Sequence, residues 1–222
     1  MIALDLGQVR RLLCIGAHCD DIEIGCGGTV LTLVAAIPDL AVRWVVFTSD
    51  DTRRREAEAC AARFLRGRRA EVRILDYRDA FLPYSGAAVK DEFERLKDFS
   101  PDLVLTPFRG DAHQDHRLIA ELTWNTFRQH LILEYEIPKY DGDLGAPGVF
   151  VPLDAAVVED KIRHILECYK SQGDRHWFSR DVFMALMRLR AMEANAGTDQ
   201  AEAFYGRKLV LATGTAARKT LR

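Results

Sequence analysis

Five short apolar runs, each bounded by Gly, Pro or Asp and most followed by a stretch with helical spacing, constrain this chain most. The runs are "RLLCIGA" (11–17), "AVRWVVFTS" (41–49), "AEVRILD" (70–76), "PDLVLTPF" (101–108) and "LILEYEI" (131–137). Near-continuous apolar strands of this length fit a parallel sheet buried on both faces. The intervening segments 26–36, 53–66, 89–99 and 115–130 are expected to be helices. In the second, Ala57, Cys60, Ala61, Phe64 and Leu65 recur at one face while the arginines turn outward. Beyond "PKYDGDLGAPG", a loop rich in Pro and Gly, two more helices are expected at 155–171 and 179–195, and then a last apolar run, "KLVLA". Alternation of this kind predicts an α/β fold: a Rossmann-like, doubly wound, mostly parallel sheet flanked by helices, over a single domain of residues 1–222.

Such sheets bind ligands at the carboxyl ends of their strands. The first strand ends in "GAHCDDIEIGCGG" (16–28), which reads either as a phosphate-cradling loop or as part of a metal site. A dinucleotide fingerprint needs its glycines directly after the strand. Here a histidine and three carboxylates come first, and carboxylates repel phosphate. No Walker-type G-K-[ST] occurs anywhere in the chain.

The metal reading fares better. His18 and Asp21 stand three apart in a tight turn, and imidazole with carboxylate suits zinc or another divalent ion. A third ligand has to come from another strand end. The fourth strand runs into "RGDAHQDH" (109–116), where His113 and His116 are again three apart, with Asp115 between them. These two clusters hold three of the six histidines; His130, His164 and His176 stand alone and read as surface or satisfied core residues. Asp111 and Asp115 read equally as caps of the following helix, and Glu23 as an outer or solvent-facing group. Gly25, Gly27 and Gly28 are expected to pack the first helix closely on the sheet. Cys19 and Cys26 read as small buried residues rather than ligands.

"AHCDD" followed by glycines, with "HQDH" about a hundred residues later, resembles the LmbE/PIG-L family of zinc-dependent N-acetylglucosaminyl deacetylases. "RRRE" (53–56), "EIPKYDGD" (136–143) and "YKSQ" (169–172) also fall where that family has comparable segments. The resemblance implies that His18, Asp21 and His116 bind zinc and that Asp20 is the general base. It implies that His113 steadies the tetrahedral intermediate or protonates the leaving amine, that Asp115 orients a neighbouring histidine, and that Arg53, with Arg55 as rival, holds the substrate. For an acid role His113 must be protonated, a form that Asp111 or Asp115 would favour. Two departures stand out: Cys19 replaces the usual Pro, and Ile22 comes before Glu23.

The implied reaction is hydrolysis of the acetyl group of an N-acetylglucosamine-type sugar or conjugate. Residues in 80–86 and 136–143 are expected to line its cleft, and the family suggests a homo-oligomer. The competing readings are a Rossmann-like nucleotide-binding or regulatory module, and a metal hydrolase of another bond. With 31 basic and 33 acidic residues the chain has no field that favours nucleic acid. The opening "MIALDLGQVRR" lacks the apolar run of a signal peptide, and five cysteines without a CxxC pair suggest reduced thiols. A cytoplasmic protein is therefore expected.

Overall fold

The computed structural model describes residues 3–211. Seven strands form one sheet: β1 (Arg11–Gly16), β2 (Ala41–Thr48), β3 (Ala70–Tyr77), β4 (Leu103–Pro107), β5 (Leu131–Tyr135), β6 (Val149–Leu153) and β7 (Gln200–Gly206). Their order is β3-β2-β1-β4-β5-β7-β6. The first five are mutually parallel, and β7 runs antiparallel to β5 and β6. The expected α/β fold with a mostly parallel sheet is present.

Among the described residues six α-helices flank the sheet: α1 (Asp21–Ala36), α2 (Asp51–Leu65), α3 (Gly86–Leu96), α4 (Gln114–Thr126), α5 (Ala155–Cys168) and α6 (Arg180–Ala194). Successive side chains of β1 point to opposite faces, and each face has its own core. Leu12 and Cys14 join α1, α2 and α5 on one side. Leu13 and Ile15 join Val89 and Phe93 of α3 and Ile119 of α4 on the other. Helices on both faces leave no wet side, which is why the central strands read as continuous apolar runs.

Two strands near the end of the chain were not anticipated. The last is "QAEAFYG", just before the apolar run "KLVLA", of which Leu209, Val210 and Leu211 are exposed and Ala212 lies outside the described residues. Strand β6 follows the Pro- and Gly-rich loop directly, in a stretch between that loop and the next expected helix. Both missed strands pair antiparallel at the sheet edge, where burial is less complete and the apolar signal weaker.

The first helix starts five residues earlier than its spacing suggests, so the motif's glycines lie within it. A Cβ on Gly25 would come 2.1 Å from the Tyr135 ring, and one on Gly28 2.5 Å from Leu153. A Cβ on Gly27 would meet Phe64 of α2 at 2.5 Å. These glycines let α1 lie against β5, β6 and α2, the packing role expected of them. Among the described residues no helix is long and apolar enough to cross a membrane.

Candidate metal centre

Strands β1 and β4 are neighbours whose onward connections leave in opposite directions, and the crevice at their carboxyl ends is the switch point of the sheet. The turn after β1 closes on itself: Asp21 Oδ2 accepts the amides of Ala17 and His18, both at 2.8 Å. The Cys19 thiol donates to the Thr48 carbonyl at 3.3 Å, and the Thr48 hydroxyl donates to the Ala17 carbonyl at 2.8 Å. Cys19 is thus a buried anchor to β2 at the position where the family has Pro. The turn after β4 is shaped by Asp111, whose Oδ1 accepts the His113 amide at 2.7 Å. His113 itself caps α4, its Nδ1 accepting the Asp115 amide at 3.2 Å. Neither Asp111 nor Asp115 caps that helix.

These two turns bring three donor atoms together. His18 Nδ1 lies 3.0 Å from His116 Nε2, and Asp21 Oδ2 lies 3.5 Å from the first and 3.3 Å from the second. Tetrahedral zinc with N and O ligands at about 2.0–2.1 Å would set its ligand atoms roughly 3.3 Å apart. The spacing and the chemistry of the donors, two imidazoles and one carboxylate, both fit. His113 stands alongside, its ring 4.7 Å from that of His18.

Each of these two histidines has a carboxylate on its far side, the arrangement that fixes tautomer and ring orientation in metal sites. His116 Nδ1 is 2.8 Å from Asp111 Oδ2. His18 Nε2 is 3.4 Å from Asp115 Oδ2 and 3.0 Å from Asp79 Oδ1. His18 Nε2 and Asp115 Oδ2 are both buried without a formed hydrogen bond. Burial works against charge on His18 and His116, but the nearby carboxylates, Asp21 foremost, reverse it and raise both. Burial likewise pushes the Asp21 carboxyl up, and His116 and His18 more than reverse it. His113 moves the other way: burial and then the neighbouring imidazoles hold it below the usual histidine range. Asp115 does favour the protonated form of His113, as expected, but burial and the two neighbouring imidazoles outweigh it.

Asp20 is buried beside the donors, and Arg53 Nη2 is 2.9 Å from its Oδ1. The Arg53 guanidinium lies over the Tyr169 ring at 5.1 Å, and its Nη1 is buried 3.8 Å from Glu56 Oε2 without a hydrogen bond. Arg55 points away, donating to the Asp51 carbonyl in solvent, so only Arg53 of the two reaches the site. Glu56 accepts both the amide and the hydroxyl of Ser171, at 2.8 and 2.6 Å, which joins "RRRE" to "YKSQ" in space. Glu23 is fully buried rather than solvent-facing; the Tyr169 hydroxyl donates to it, and burial lifts its carboxyl to about 8.

Sequence reasoning missed Asp79, and it named the segment 136–143 without singling out Lys139 or Asp143. Asp79 follows β3, and the next residue, Ala80, sits at φ +62°, a left-handed conformation that side chains with a Cβ seldom adopt. Gln114 Nε2 on the Ala80 carbonyl and the Leu82 amide on Asp115 Oδ1 hold that segment at the site. Nothing in "DYRDAF" announces this, because the contacts come from α4. The segments expected to line a cleft do carry exposed aromatics, Phe81 and Tyr84 in one and Tyr140 in the other. Tyr140 lies beside His176, ring to ring at 5.3 Å, so that histidine is not isolated.

Residues 13–127 match the family described as PIG-L, GlcNAc-PI de-N-acetylase. That span covers both turns of the site and more than half of the chain. The chain belongs to the PIG-L family. It is similar to a diacetylchitobiose deacetylase of Thermococcus kodakarensis, with 30% identity over 125 residues, 50% of this chain and 46% of the relative. The chain thus matches only about half the length of that protein. Among solved structures, N,N'-diacetylchitobiose deacetylase from Pyrococcus horikoshii superposes with a TM-score of 0.69 at 23% identity, over 89% of this chain and 83% of the other. GalB, the 4-carboxy-2-hydroxymuconate hydratase of Pseudomonas putida KT2440, superposes at 0.76 with 16% identity, over 93% and 99%. A deacetylase and a hydratase on one backbone mean that these likenesses establish fold alone, and chemistry has to be argued from the site.

Proposed function

We propose that the chain is a zinc-dependent hydrolase that removes the acetyl group from an N-acetylglucosamine-type sugar or conjugate. The observation that carries this reading is the meeting of His18 Nδ1, Asp21 Oδ2 and His116 Nε2 within 3.0–3.5 Å of one another. Those three residues would hold the ion, and family membership supports both the hydrolysis and the sugar. When bound, zinc supplies Lewis acidity and lowers the pKa of a water to about 7.

The remaining chemistry falls to the side chains around it. Arg53 engages one oxygen of Asp20 and leaves the other to take a proton from the attacking water. His113, its Nδ1 occupied by the Asp115 amide, carries its proton on Nε2 when neutral. It is therefore a donor to the amide oxygen as charge develops there, an interaction worth about 3–4 kcal/mol. That favours the oxyanion-steadying role over the acid role, and Asp20 then returns its proton to the departing amine. Arg53 Nη1, buried without a hydrogen bond, is a donor for a substrate oxygen. Tyr84 and Tyr140, both exposed, offer flat faces to a sugar ring.

The test is acetate release from a panel of N-acetylated mono- and disaccharides, with simple acetate esters alongside, before and after treatment with a chelator. Release from the amides, abolished by chelation and restored by zinc, is the expected result. Turnover of esters alone would point to a hydrolase of another bond, and amide turnover that survives chelation would sink the reading.

A further inference from the structure

The loop after β5 reaches back to a proposed metal ligand through one lysine. Lys139 is largely buried, with 12% of its side chain exposed. Its ammonium donates to Asp111 Oδ2 at 2.9 Å and to both oxygens of Asp143 at 2.7 and 2.6 Å. Asp143 Oδ2 also accepts the Ala112 amide at 2.6 Å. Two carboxylates and one ammonium therefore fasten the segment 138–143 to the segment 111–113. The chain of contacts does not stop there, because the Asp111 oxygen that takes Lys139 is also the one 2.8 Å from His116 Nδ1.

Asp111 is buried, and a buried carboxylate needs a counter-charge and filled lone pairs to remain an anion. Its hydrogen-bond donors are the His113 amide, the His116 ring and Lys139. Arg117 donates to the backbone carbonyls of Asp111, at 3.1 Å, and Ala112, not to the Asp111 carboxylate. Among the described residues Lys139 is thus the one permanently cationic side chain paired with the Asp111 carboxylate. Asp111 Oδ2 thus joins the Lys139 ammonium to His116 Nδ1, and Nε2 of the same ring faces His18 and Asp21.

We infer that Lys139 is a positioning residue: through Asp111 it fixes the His116 ring for metal binding and couples the loop at the mouth of the site to that ligand. The inference rests on the metal reading proposed above. It assigns Lys139 no contact with substrate.

The experiment is a zinc titration of the 222-residue chain against a chromophoric chelator, for the parent, K139M, K139R and H116A. K139M is expected to hold zinc about tenfold more weakly, the low end of what is lost when a ligand's hydrogen-bond partner is removed. K139R should recover most of that loss, and the unfolding midpoint of the metal-free protein should change little between the three. Parental affinity in K139M would overturn the inference. So would a lowered midpoint with affinity intact, which is the signature of a merely structural lysine. If K139M does not fold, K139Q takes its place with the same expected and overturning results. The control separates the two levels: zinc binding unchanged in H116A defeats the metal reading itself, whereas loss in H116A with retention in K139M defeats only the role of Lys139.

Discussion

Helix α1 carries two buried polar clusters that differ in one respect. Around its middle, Lys161 of α5 and Glu202 of β7, both almost wholly buried, form an ion pair at 2.6 Å. Lys161 also donates to the Ile24 carbonyl at 2.7 Å. Glu202 accepts the amides of Gly28 and Thr29 at 2.7 Å and the Thr29 hydroxyl at 2.6 Å. Neither residue leaves a buried atom unpartnered. At the N-terminus of the same helix, His18 Nε2, Asp115 Oδ2, Glu23 Oε2 and Arg53 Nη1 are all buried without hydrogen bonds. Three ligand-type atoms, His18 Nδ1, Asp21 Oδ2 and His116 Nε2, also crowd together there. A fully satisfied network fixes a structure; one with open positions is complementary to something else. The contrast separates the two roles more sharply than residue type does, since both clusters are charged and buried.

The strongest way to break that comparison is to remove a donor from the open cluster. H116A is expected to lose tightly held zinc, seen by elemental analysis, and essentially all turnover. Its metal-free fold should stay close to that of the metal-free parent by circular dichroism. Next comes D20N, expected to lower kcat by about 10²–10⁴-fold while zinc content is unchanged; a loss of metal instead would make Asp20 a ligand rather than the base.

The satisfied cluster should answer in the opposite currency. K161M leaves Glu202 buried without its counter-charge and is expected to cost about 3–5 kcal/mol in urea unfolding, with zinc affinity retained in the folded fraction. Equal stability of K161M and parent would erase the distinction between the clusters. The smallest effect belongs to the neighbouring arginines. R55A, whose side chain lies in solvent, should shift stability by less than about 0.5 kcal/mol and leave kcat/KM unchanged, whereas R53A should raise KM.

Much of this was legible in the chain. The five parallel strands are visible because burial on both faces forces unbroken apolar runs. The antiparallel edge was not: β6 and β7 mix Pro, Gln, Glu and Gly with their apolar residues and resemble loop. The two ends of the candidate site were visible because each packs its ligand-type residues within a few positions of a strand end. Local spacing misled about the company those residues keep. Asp111 and Asp115 look like helix caps, yet each faces a histidine instead. Arg53 looks like one of three surface arginines, yet it alone turns inward to Asp20.

The sequence by itself determined the α/β alternation, the two histidine–aspartate turns and the glycines that bring α1 close to the sheet. These depend on periodicity and on residue types within one turn of each other. Tertiary structure alone decided that His18, Asp21 and His116 converge, that Asp79 stands beside His18, and that Lys139 reaches His116 through Asp111. Each of those contacts joins segments tens of residues apart. Their geometry is set by strand order and by the direction each loop leaves the sheet, quantities that no local pattern encodes.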